Sequence, residues 1–478
     1  MNTPLDLRIL GWLLVGLGAV QGVPLVVAWL LGEPALPFVA SAATALALGL
    51  ALALTSRPES PELRLRDGFL VVTLSWLLAS TFGALPYLLS GALGPLDALF
   101  ETVSGFTTTG SSVMSGLEGA PRGLLLWRAM TQGLGGLGIV VVAVAIAPML
   151  GVGGMQLFRT EMPGLASDKL RPRITTTARR LLLVYVGLNA GCALAYVLAG
   201  MSVFDAVCHA LPTLSTGGFG TRDASFAAFD SPALEWIASV FMLLGAINFT
   251  LHYRLLTGHV RRVLANAELR YFLGLVAVAW LAIAWLLVRT ESAPGEALRS
   301  ALFQVAAIVT TTGFASADFE TWPALTSVIL LLLMIAGGMA GSTAGGIKGL
   351  RVVLGFNVLR NSLARMLHPR MVLAVKYGDD TVPGEVLTNL LAFLIAYFTM
   401  ALVGTVVVAF AGYDLVTSLS AALTTLGNVG PGYGAVGPTD NFAHLPGYAK
   451  LTLSGLMLAG RLEIFVLLVL LQRSFWRA

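Results

Sequence analysis

The sequence predicts an all-α polytopic membrane protein: four pseudo-symmetric repeats, each a span, a short pore helix, a glycine-bearing turn and a second span, after two extra N-terminal transmembrane helices. Three observations predict this fold: 56% of the 478 residues are hydrophobic, only 11% are charged, and long apolar runs recur along the whole chain. A soluble domain has about 25% charged residues. This chain cannot cover a water-facing surface with so few charges, and lipid is the outer solvent that its composition fits.

About ten runs approach the roughly 20 apolar residues that a helix needs to cross a bilayer. They are Gly11–Leu31, Pro37–Leu54, Val71–Leu89, Leu124–Leu150, Leu181–Ala199, Trp236–Leu251, Tyr271–Val288, Ala324–Ala336, Val386–Ala411 and Leu451–Leu471. The first run has no small-residue cleavage site after it, so we expect a retained helix rather than a signal peptide. The only two cysteines, Cys192 and Cys208, lie in apolar sequence and are expected to be buried thiols.

The distribution of basic residues predicts the orientation of the spans. The chain has 29 Lys and Arg against 25 Asp and Glu. With a cytoplasmic N-terminus, most of the basic residues fall in loops on the inner side, as the positive-inside rule requires. We therefore expect both termini in the cytoplasm. The same distribution explains the basic net charge without a nucleic-acid partner.

Four segments of the chain repeat one pattern. They are Asp97–Gly110, Asp205–Gly218, Ser300–Gly313 and Thr417–Gly430, and in each the first residue lies 13 positions before the last glycine. An apolar run lies on either side of each segment. We therefore divide the chain into an N-terminal pair of transmembrane helices, 1–66, and four pore repeats, 67–165, 166–262, 263–376 and 377–478.

Each repeated segment is predicted to hold a helix too short to cross the membrane. Asp97, Asp205, Ser300 and Thr417 are residue types that cap helix N-termini, and Asp414 is a further candidate in the fourth repeat. About ten mostly apolar positions follow, which is roughly 15 Å of helix against a bilayer of about 30 Å. We expect each half-helix to enter from outside and end near the midplane, where irregular backbone is tolerated only if it lines a cavity.

The turn after each half-helix has the composition of a cation site. The half-helices point the negative ends of their dipoles into the membrane interior, and glycine lets successive carbonyl groups face one axis. Rings of carbonyl oxygens then replace the hydration shell of an ion. A single Thr-Thr-Thr-Gly would be interpreted as a loop. Four copies in register, each flanked by spans, favour a pore for a small cation.

At these residues the chain resembles the Trk/Ktr/HKT family of potassium transporters, and within it the TrkH branch. The resemblance covers nearly the whole chain and includes Ser104–Gly110, Gly135–Ile139, Met149–Gln156, Gly341–Lys348, His368–Arg370 and Gly460–Glu463. The two extra N-terminal spans are similar to TrkH rather than to the shorter KtrB. The resemblance implies potassium uptake through a gated pseudo-fourfold pore in the bacterial inner membrane. It also implies a homodimer and a soluble, TrkA-like nucleotide-binding regulatory subunit on the cytoplasmic face.

The resemblance also implies a potassium-binding filter, assigned residue by residue. Its expected members are Thr108, Thr109 and Gly110; Thr216, Gly217 and Gly218; Thr311, Thr312 and Gly313; and Asn428, Val429 and Gly430. The fourth turn departs from the other three, so which of its oxygens bind the ion stays open. Sodium-carrying relatives have a serine at the first filter glycine, so Gly110 favours potassium. Potassium is the expected substrate, this chain itself is expected to hold no cofactor, and the partner subunit would bind the nucleotide.

A break in the third repeat is the candidate gate. Gly337–Gly349 holds six glycines in 13 residues, and each costs a helix about 1 kcal/mol relative to Ala. The candidate gate residues in this stretch are Gly337, Gly338, Gly341, Ser342, Thr343, Gly345, Gly346 and Lys348. The residues alone leave two interpretations open, a loop that obstructs the pore on the cytoplasmic side of the filter or close packing through small residues. The resemblance favours the loop.

Among the charged side chains inside predicted helices, Arg461 and Glu101 are functional candidates. Arg461 interrupts the last span, where a charge costs roughly 2.5–3.5 kcal/mol and indicates a functional site. Glu463 faces another side of a helix, so we expect Arg461 to face the pore, a carbonyl group or the Gly-rich loop, with a structural ion pair as the alternative. Glu101, in the first half-helix, is expected either to place charge near the outer mouth or to brace the filter from behind.

Two other functions compete with a gated pore. An intramembrane enzyme needs a catalytic pair or a zinc motif in its spans, and this sequence has neither, so we expect no enzyme. The five histidines are scattered, so potassium at the filter is the only metal expected. An alternating-access symporter, which would couple potassium to protons or sodium, also uses broken helices at the midplane. Such carriers typically have two inverted repeats, whereas four units of one orientation favour a pore.

Overall fold

The computed structural model describes residues 2–58, 64–145, 170–290, 292–368, 374–378 and 380–477. Within these ranges six helices are long and apolar enough to cross a membrane, or seven if one sharply bent pair is counted as a single span. The prediction of an all-α polytopic membrane protein is confirmed.

The elements follow the predicted order of an N-terminal pair and four repeats. The N-terminal part comprises Thr3–Val20, Gly22–Leu30 and Leu36–Thr55, and the first repeat Leu65–Gly83, Leu85–Leu89, Pro95–Phe106 and Arg122–Ala145. The second repeat comprises Leu170–Leu198, Val203–Ser215, Pro232–Ala246, Phe249–Leu256 and Val260–Leu264. The third comprises Ala267–Val288, Pro294–Val309, Ala324–Ala336 and Gly349–Leu367, followed by a two-stranded hairpin of Lys376–Tyr377 and Asp380–Thr381. The fourth comprises Gly384–Phe410, Leu415–Leu426, Gly447–Arg461, Phe465–Leu470 and Arg473–Trp476.

Within the described residues, each repeat also has a short 3-10 helix at the same place, between its glycine-bearing turn and its second span. These helices are Leu117–Gly119, Ser225–Phe229, Phe319–Thr321 and Gly434–Val436. The internal repetition is therefore not limited to the apolar runs and the turns. It extends to the connections, as expected if each repeat is one folding unit copied four times.

The half-helices begin earlier than predicted. They run over Pro95–Phe106, Val203–Ser215, Pro294–Val309 and Leu415–Leu426, with 12, 13, 16 and 12 residues, or about 18–24 Å. Their N-caps are Gly94, Ser202, Ala293 and Asp414. The prediction of Asp97, Asp205, Ser300 and Thr417 as caps was wrong, and the further candidate Asp414 was right. Acidic and hydroxyl side chains also suit the first turn of a helix, so residue type alone did not fix the first position.

Two predicted spans are broken. The run Trp236–Leu251 bends by 101° between Pro232–Ala246 and Phe249–Leu256. The run Leu451–Leu471 ends its first helix at Arg461 and resumes at Phe465. The end of a third run, residues 146–150, lies outside the described residues. Both breaks occur beside the Gly-rich loop of the third repeat, so the region beneath the turns is less regular than hydropathy indicates.

Three of the predicted repeat boundaries cut through an observed element, and the fourth, 165/166, lies outside the described residues. The 66/67 boundary lies inside Leu65–Gly83, 262/263 inside Val260–Leu264, and 376/377 inside Lys376–Tyr377. The boundaries were placed between the apolar runs, where short elements such as Val260–Leu264 and Lys376–Tyr377 also form. The organisation into repeats does not depend on these shifts of a few residues.

In addition to an apolar core, the structure buries many polar groups and exposes many large apolar side chains. The filter candidates Thr108, Thr216 and Thr311 are fully buried. By contrast, the apolar side chains Leu198 and Phe410 are 79% and 83% exposed. Lipid-facing side chains require no water-compatible surface, so this distribution fits a bilayer around the helices and a polar path along their common axis.

Candidate ion-conduction site

The four turns share one backbone conformation. Thr108, Thr216, Thr311 and Asn428 have φ angles of 52°, 55°, 57° and 54°, and the glycines two positions later, Gly110, Gly218, Gly313 and Gly430, have 86°, 81°, 76° and 109°. A left-handed conformation is rare for residues other than glycine, and a threonine in it is a genuine outlier. Its repetition at four corresponding positions, including the divergent fourth turn, indicates that the turns perform one task.

The glycines and carbonyl groups of neighbouring turns make a closed ring of contacts. A Cβ atom on Gly110 would lie 2.2 Å from the Gly217 carbonyl oxygen, and one on Gly218 would lie 2.0 Å from the Thr312 oxygen. A Cβ atom on Gly313 would lie 2.0 Å from the Val429 oxygen, and one on Gly430 would lie 2.9 Å from the Thr109 oxygen, which returns to the first turn. Only glycine fits at these positions, and the four carbonyl groups succeed one another around the ring.

The ring opens into a single cavity. A space of about 110 Å³ is lined by all four of the glycines Gly110, Gly218, Gly313 and Gly430. Two carboxylates, Asp223 and Asp440, and the guanidinium of Arg222 also line it. The four glycines of the turns therefore line one common cavity.

The first and third turns are supported in the same way. The hydroxyl groups of Thr107 and Thr109 lie 2.7 Å apart, and so do those of Thr310 and Thr312. Each pair links the end of the half-helix to the middle of the turn. The near-identity of the two sequences therefore carries through to their hydrogen bonds.

The second and fourth turns are supported by side-chain amides instead. In the second turn Gln132 Nε2 donates to the Gly217 carbonyl oxygen at 2.6 Å. In the fourth, Asn428 Nδ2 donates to Thr109 Oγ1 and to the Met457 carbonyl oxygen, both at 2.9 Å. Asn428 thus ties its own turn to the first one, which closes the ring through side chains as well as backbone.

A buried ion pair lies behind the first two turns. Arg128 Nε donates to Glu101 Oε1 at 2.8 Å, and the two side chains are 2% and 0% exposed. Glu101 accepts from the Val113 backbone N–H at 2.9 Å, and Arg128 donates to the Gly220 carbonyl oxygen at 2.9 Å. Glu101 is fully buried and holds the segment after the first turn, which favours the brace of the two roles expected for it, while its partner Arg128 lines the cavity.

The Gly-rich stretch of the third repeat breaks the span, as predicted. One helix ends at Ala336 and the next begins at Gly349. The loop between them lies against the inner ends of the turns. Gly345 N donates to Thr311 Oγ1 at 2.7 Å, and Gly346 N donates to the Gly427 carbonyl oxygen at 2.9 Å. The loop is therefore hydrogen-bonded to the third and fourth repeats.

Thr343 and Arg461 extend these contacts to the other two repeats. Thr343 Oγ1 donates to the Leu214 carbonyl oxygen of the second half-helix at 2.8 Å. Arg461 Nη1 donates to the Thr343 carbonyl oxygen at 2.7 Å, and Nη2 donates to the Gly135 carbonyl oxygen of the first repeat at 3.2 Å. Arg461 thus contacts both carbonyl groups and the Gly-rich loop, two of the three environments expected for it.

Glu463 does not pair with Arg461, as expected, but it does form ion pairs with other residues. Its carboxylate lies 2.8 Å from Lys348 Nζ and also contacts the guanidinium of Arg351. Lys348 and Glu463 both have left-handed backbones, with φ of 76° and 63°. Lys348, one of the candidate gate residues, is therefore paired with Glu463 at the point where the last span breaks.

Sequence reasoning missed Gln132, Arg128 and the partners of Glu463. Gln132 and Arg128 are four residues apart in the otherwise apolar run Leu124–Leu150, so both face one side of that helix. Polar side chains in a span usually face protein or a cavity rather than lipid. That signal was present in the sequence, but it did not identify the turns as the partners.

The chain is similar throughout its length to known cation transport proteins. The family model TrkH, described as "Cation transport protein", matches residues 36–477. The chain is 41% identical to the Trk system potassium uptake protein TrkH of Halomonas elongata, with 100% of both chains covered, and 41% identical to that of Escherichia coli K12, with 98% of both covered. A crystal structure of the potassium transporter TrkH from Vibrio parahaemolyticus superimposes with a TM-score of 0.92 at 38% identity, covering all of both chains.

Proposed function

The chain belongs to the TrkH family of cation transport proteins, and we propose that it takes up potassium across the cell membrane through the ring formed by its four turns. One observation carries this proposal: each filter glycine abuts the carbonyl oxygen of the next turn, around a closed ring. Relatives named as potassium uptake proteins support potassium as the substrate. The family is one of transporters, so the chain is not an enzyme.

The ring supplies what a dehydrated cation needs. Potassium must exchange its hydration water for other oxygens, and the carbonyl groups of Thr109, Gly217, Thr312 and Val429 provide them from four sides. The half-helices direct the negative ends of their dipoles towards the same place. In this proposal the filter consists of the three residues predicted in each turn, and the fourth turn contributes through its backbone because Val429 has no side-chain oxygen.

The Gly-rich loop acts as the gate. Its backbone and Thr343 are hydrogen-bonded beneath the ring to the second, third and fourth repeats, and Arg461 links it to the first. A loop held in this way obstructs the path below the filter. Because glycine-rich backbone has little regular structure to lose, releasing a few hydrogen bonds is enough to move it.

An alternating-access symporter is the second candidate, because two spans other than the Gly-rich one are also broken. Unitary currents from single channels in a planar bilayer support the gated pore. Saturable uptake without unitary openings, together with movement of protons or sodium in a fixed ratio to potassium, supports the carrier.

Regulation and assembly follow from the resemblance. In this proposal the protein is a homodimer in the bacterial inner membrane, with both termini in the cytoplasm. A soluble, TrkA-like subunit that binds a nucleotide docks on the cytoplasmic face and acts on the gate. Crosslinking in membranes tests the dimer, and co-purification with a nucleotide-binding partner tests the docking.

Uptake of rubidium, a potassium analogue, into proteoliposomes tests the proposed function. We expect rapid uptake that potassium inhibits at much lower concentration than sodium does, and that changes when nucleotide-loaded partner is added. Liposomes without protein provide the control. Equal inhibition by sodium and potassium, or no uptake by well-folded protein, would contradict the proposal.

A further inference from the structure

Gln132 spans the second turn with both ends of its side-chain amide. Its Nε2 donates to the Gly217 carbonyl oxygen at 2.6 Å, and its Oε1 accepts from the Phe219 backbone N–H at 2.9 Å. The partners fix the orientation of the amide, because a carbonyl group accepts and an N–H donates. The side chain is fully buried. It therefore bridges the residues on either side of Gly218 without contact with water.

The same side chain explains why the second turn lacks a threonine in its middle position. Gly217 does not adopt a left-handed conformation, unlike Gly218, so its backbone does not require glycine. A Cβ atom on Gly217 would instead lie 2.4 Å from Gln132 Cδ and 2.5 Å from Oε1. The amide of Gln132 therefore occupies the space that the Thr109 and Thr312 side chains fill in their own turns.

The Gly217 carbonyl oxygen accepts a hydrogen bond from a side-chain amide. It is one of the four carbonyl oxygens of the ring, and a Cβ atom on Gly110 would lie 2.2 Å from it. A donor at 2.6 Å holds this oxygen in place and uses part of its capacity to accept. The geometry points to Gln132 as a specificity-determining residue of the filter, one that fixes the position of the Gly217 carbonyl oxygen for potassium.

A fixed carbonyl position matters for selectivity. A smaller ion such as sodium binds well only if the surrounding oxygens move inward, and an oxygen that accepts a hydrogen bond from a fixed donor resists that movement. Loss of the hydrogen bond from Gln132 to the Gly217 carbonyl oxygen is therefore expected to favour the binding of sodium more than that of potassium. This inference rests on the proposed function, since it assumes that the ring binds the transported ion.

Three variants separate a positioning role from simple filling of space. Gln132→Met keeps the length of the side chain and removes the donor. Gly217→Thr adds a side chain that collides with Gln132, and the double variant Gln132→Ala with Gly217→Thr rebuilds the arrangement of the first and third turns. The new hydroxyl then has Ser215 as a partner, as Thr109 has Thr107. Gln304→Met is the matched control, because Gln304 is equally buried but donates to the Ala317 carbonyl oxygen outside the filter triplets.

Rubidium uptake into proteoliposomes, with increasing competing sodium, is the measurement. For Gln132→Met we expect the sodium concentration that halves uptake to fall about fivefold, the factor that one net hydrogen bond supplies, whereas Gln304→Met keeps the wild-type value. Gly217→Thr is expected to lose uptake and thermal stability, and the double variant to recover most of both. A Gln132→Met protein with wild-type sodium sensitivity would overturn the inference.

The proposed function and this inference fail in different ways. If the wild type shows no potassium-selective uptake, the proposed function fails. If the wild type is selective and the double variant is no better than Gly217→Thr alone, only the role of Gln132 fails. Should Gln132→Met not fold, the sodium sensitivity of the double variant, which lacks the amide donor, decides the question: wild-type sodium sensitivity in that protein would overturn the inference.

Discussion

Replacement of Gly110 by serine is the sharpest perturbation of the ring. A Cβ atom at this position would lie 2.2 Å from the Gly217 carbonyl oxygen, whereas ordinary contacts begin at 3.4 Å. The two turns must therefore separate by about 1.2 Å, the difference between those distances. Binding geometry generally tolerates about 0.5 Å, so the Gly217 oxygen can no longer serve the same ion.

The size of the effect follows from the loss of one oxygen ligand out of four. A hydrogen bond to a charged group is worth about 1.5–3 kcal/mol, which we take as the scale for one carbonyl–cation contact. Because a factor of ten corresponds to 1.4 kcal/mol, Gly110→Ser is expected to reduce the preference for potassium over sodium by about ten- to a hundredfold. The left-handed φ of 86° adds backbone strain of about 1–2 kcal/mol, which lowers stability rather than selectivity.

Permeability ratios from reversal potentials, with sodium and potassium on opposite sides of a bilayer, measure this effect. Gly116→Ser is the matched control, because Gly116 has φ of 70° but open space around its Cβ position. It carries the backbone strain without the collision and should keep wild-type selectivity. An unchanged permeability ratio in well-folded Gly110→Ser would refute the reasoning.

Three further changes test the region around the ring. Deletion of Gly341–Gly346 removes the proposed gate and should raise rubidium uptake without the regulatory partner; unchanged or lost uptake in folded protein would contradict a gate. Arg461→Ala removes the link between the loop and the first repeat and should also speed uptake, whereas loss of folding alone would indicate a structural role. Arg128→Met leaves Glu101 buried without its charge partner, which costs about 3–5 kcal/mol, so its thermal unfolding temperature should fall further than that of Arg299→Met, a change in a more exposed ion pair. An equal fall in both variants would show that Arg128 does not brace the turns.

Much of the fold was readable from the sequence because the bilayer imposes simple rules. Runs such as Tyr271–Val288 and Val386–Ala411 correspond to the single helices Ala267–Val288 and Gly384–Phe410. Composition sets the length of a span, and four in-register glycines set the repeat. These are properties of the local sequence, so they can be predicted without knowledge of the tertiary contacts.

The breaks were harder to predict because tertiary contacts cause them. The charged residues before Ile464 interrupt the apolar run but do not by themselves indicate a broken helix, yet Glu463 and Ile464 have φ of 63° and 49°. The ion pairs of Glu463 with Lys348 and Arg351 join segments more than 100 residues apart. Hydropathy cannot report a contact of that kind, whereas the Gly-rich break is encoded locally and was predicted.

The candidate site also combines features that the local sequence predicts with features that depend on tertiary contacts. The filter triplets stay predictions for function, but their common backbone conformation follows from a motif that the sequence displays four times. The departures in the second and fourth turns looked like weak points of the motif. Gly217 and Asn428 instead match partners on other helices, Gln132 and the Met457 carbonyl group, which no local pattern could have indicated.

Anomalous scattering from rubidium-soaked crystals tests the central claim most directly. The ring proposed here predicts a rubidium peak on the axis between the carbonyl oxygens of Thr109, Gly217, Thr312 and Val429, and loss of that peak when potassium replaces rubidium. A structure at saturating rubidium with no ion at the ring, or with ions bound only elsewhere along the chain, would contradict the account.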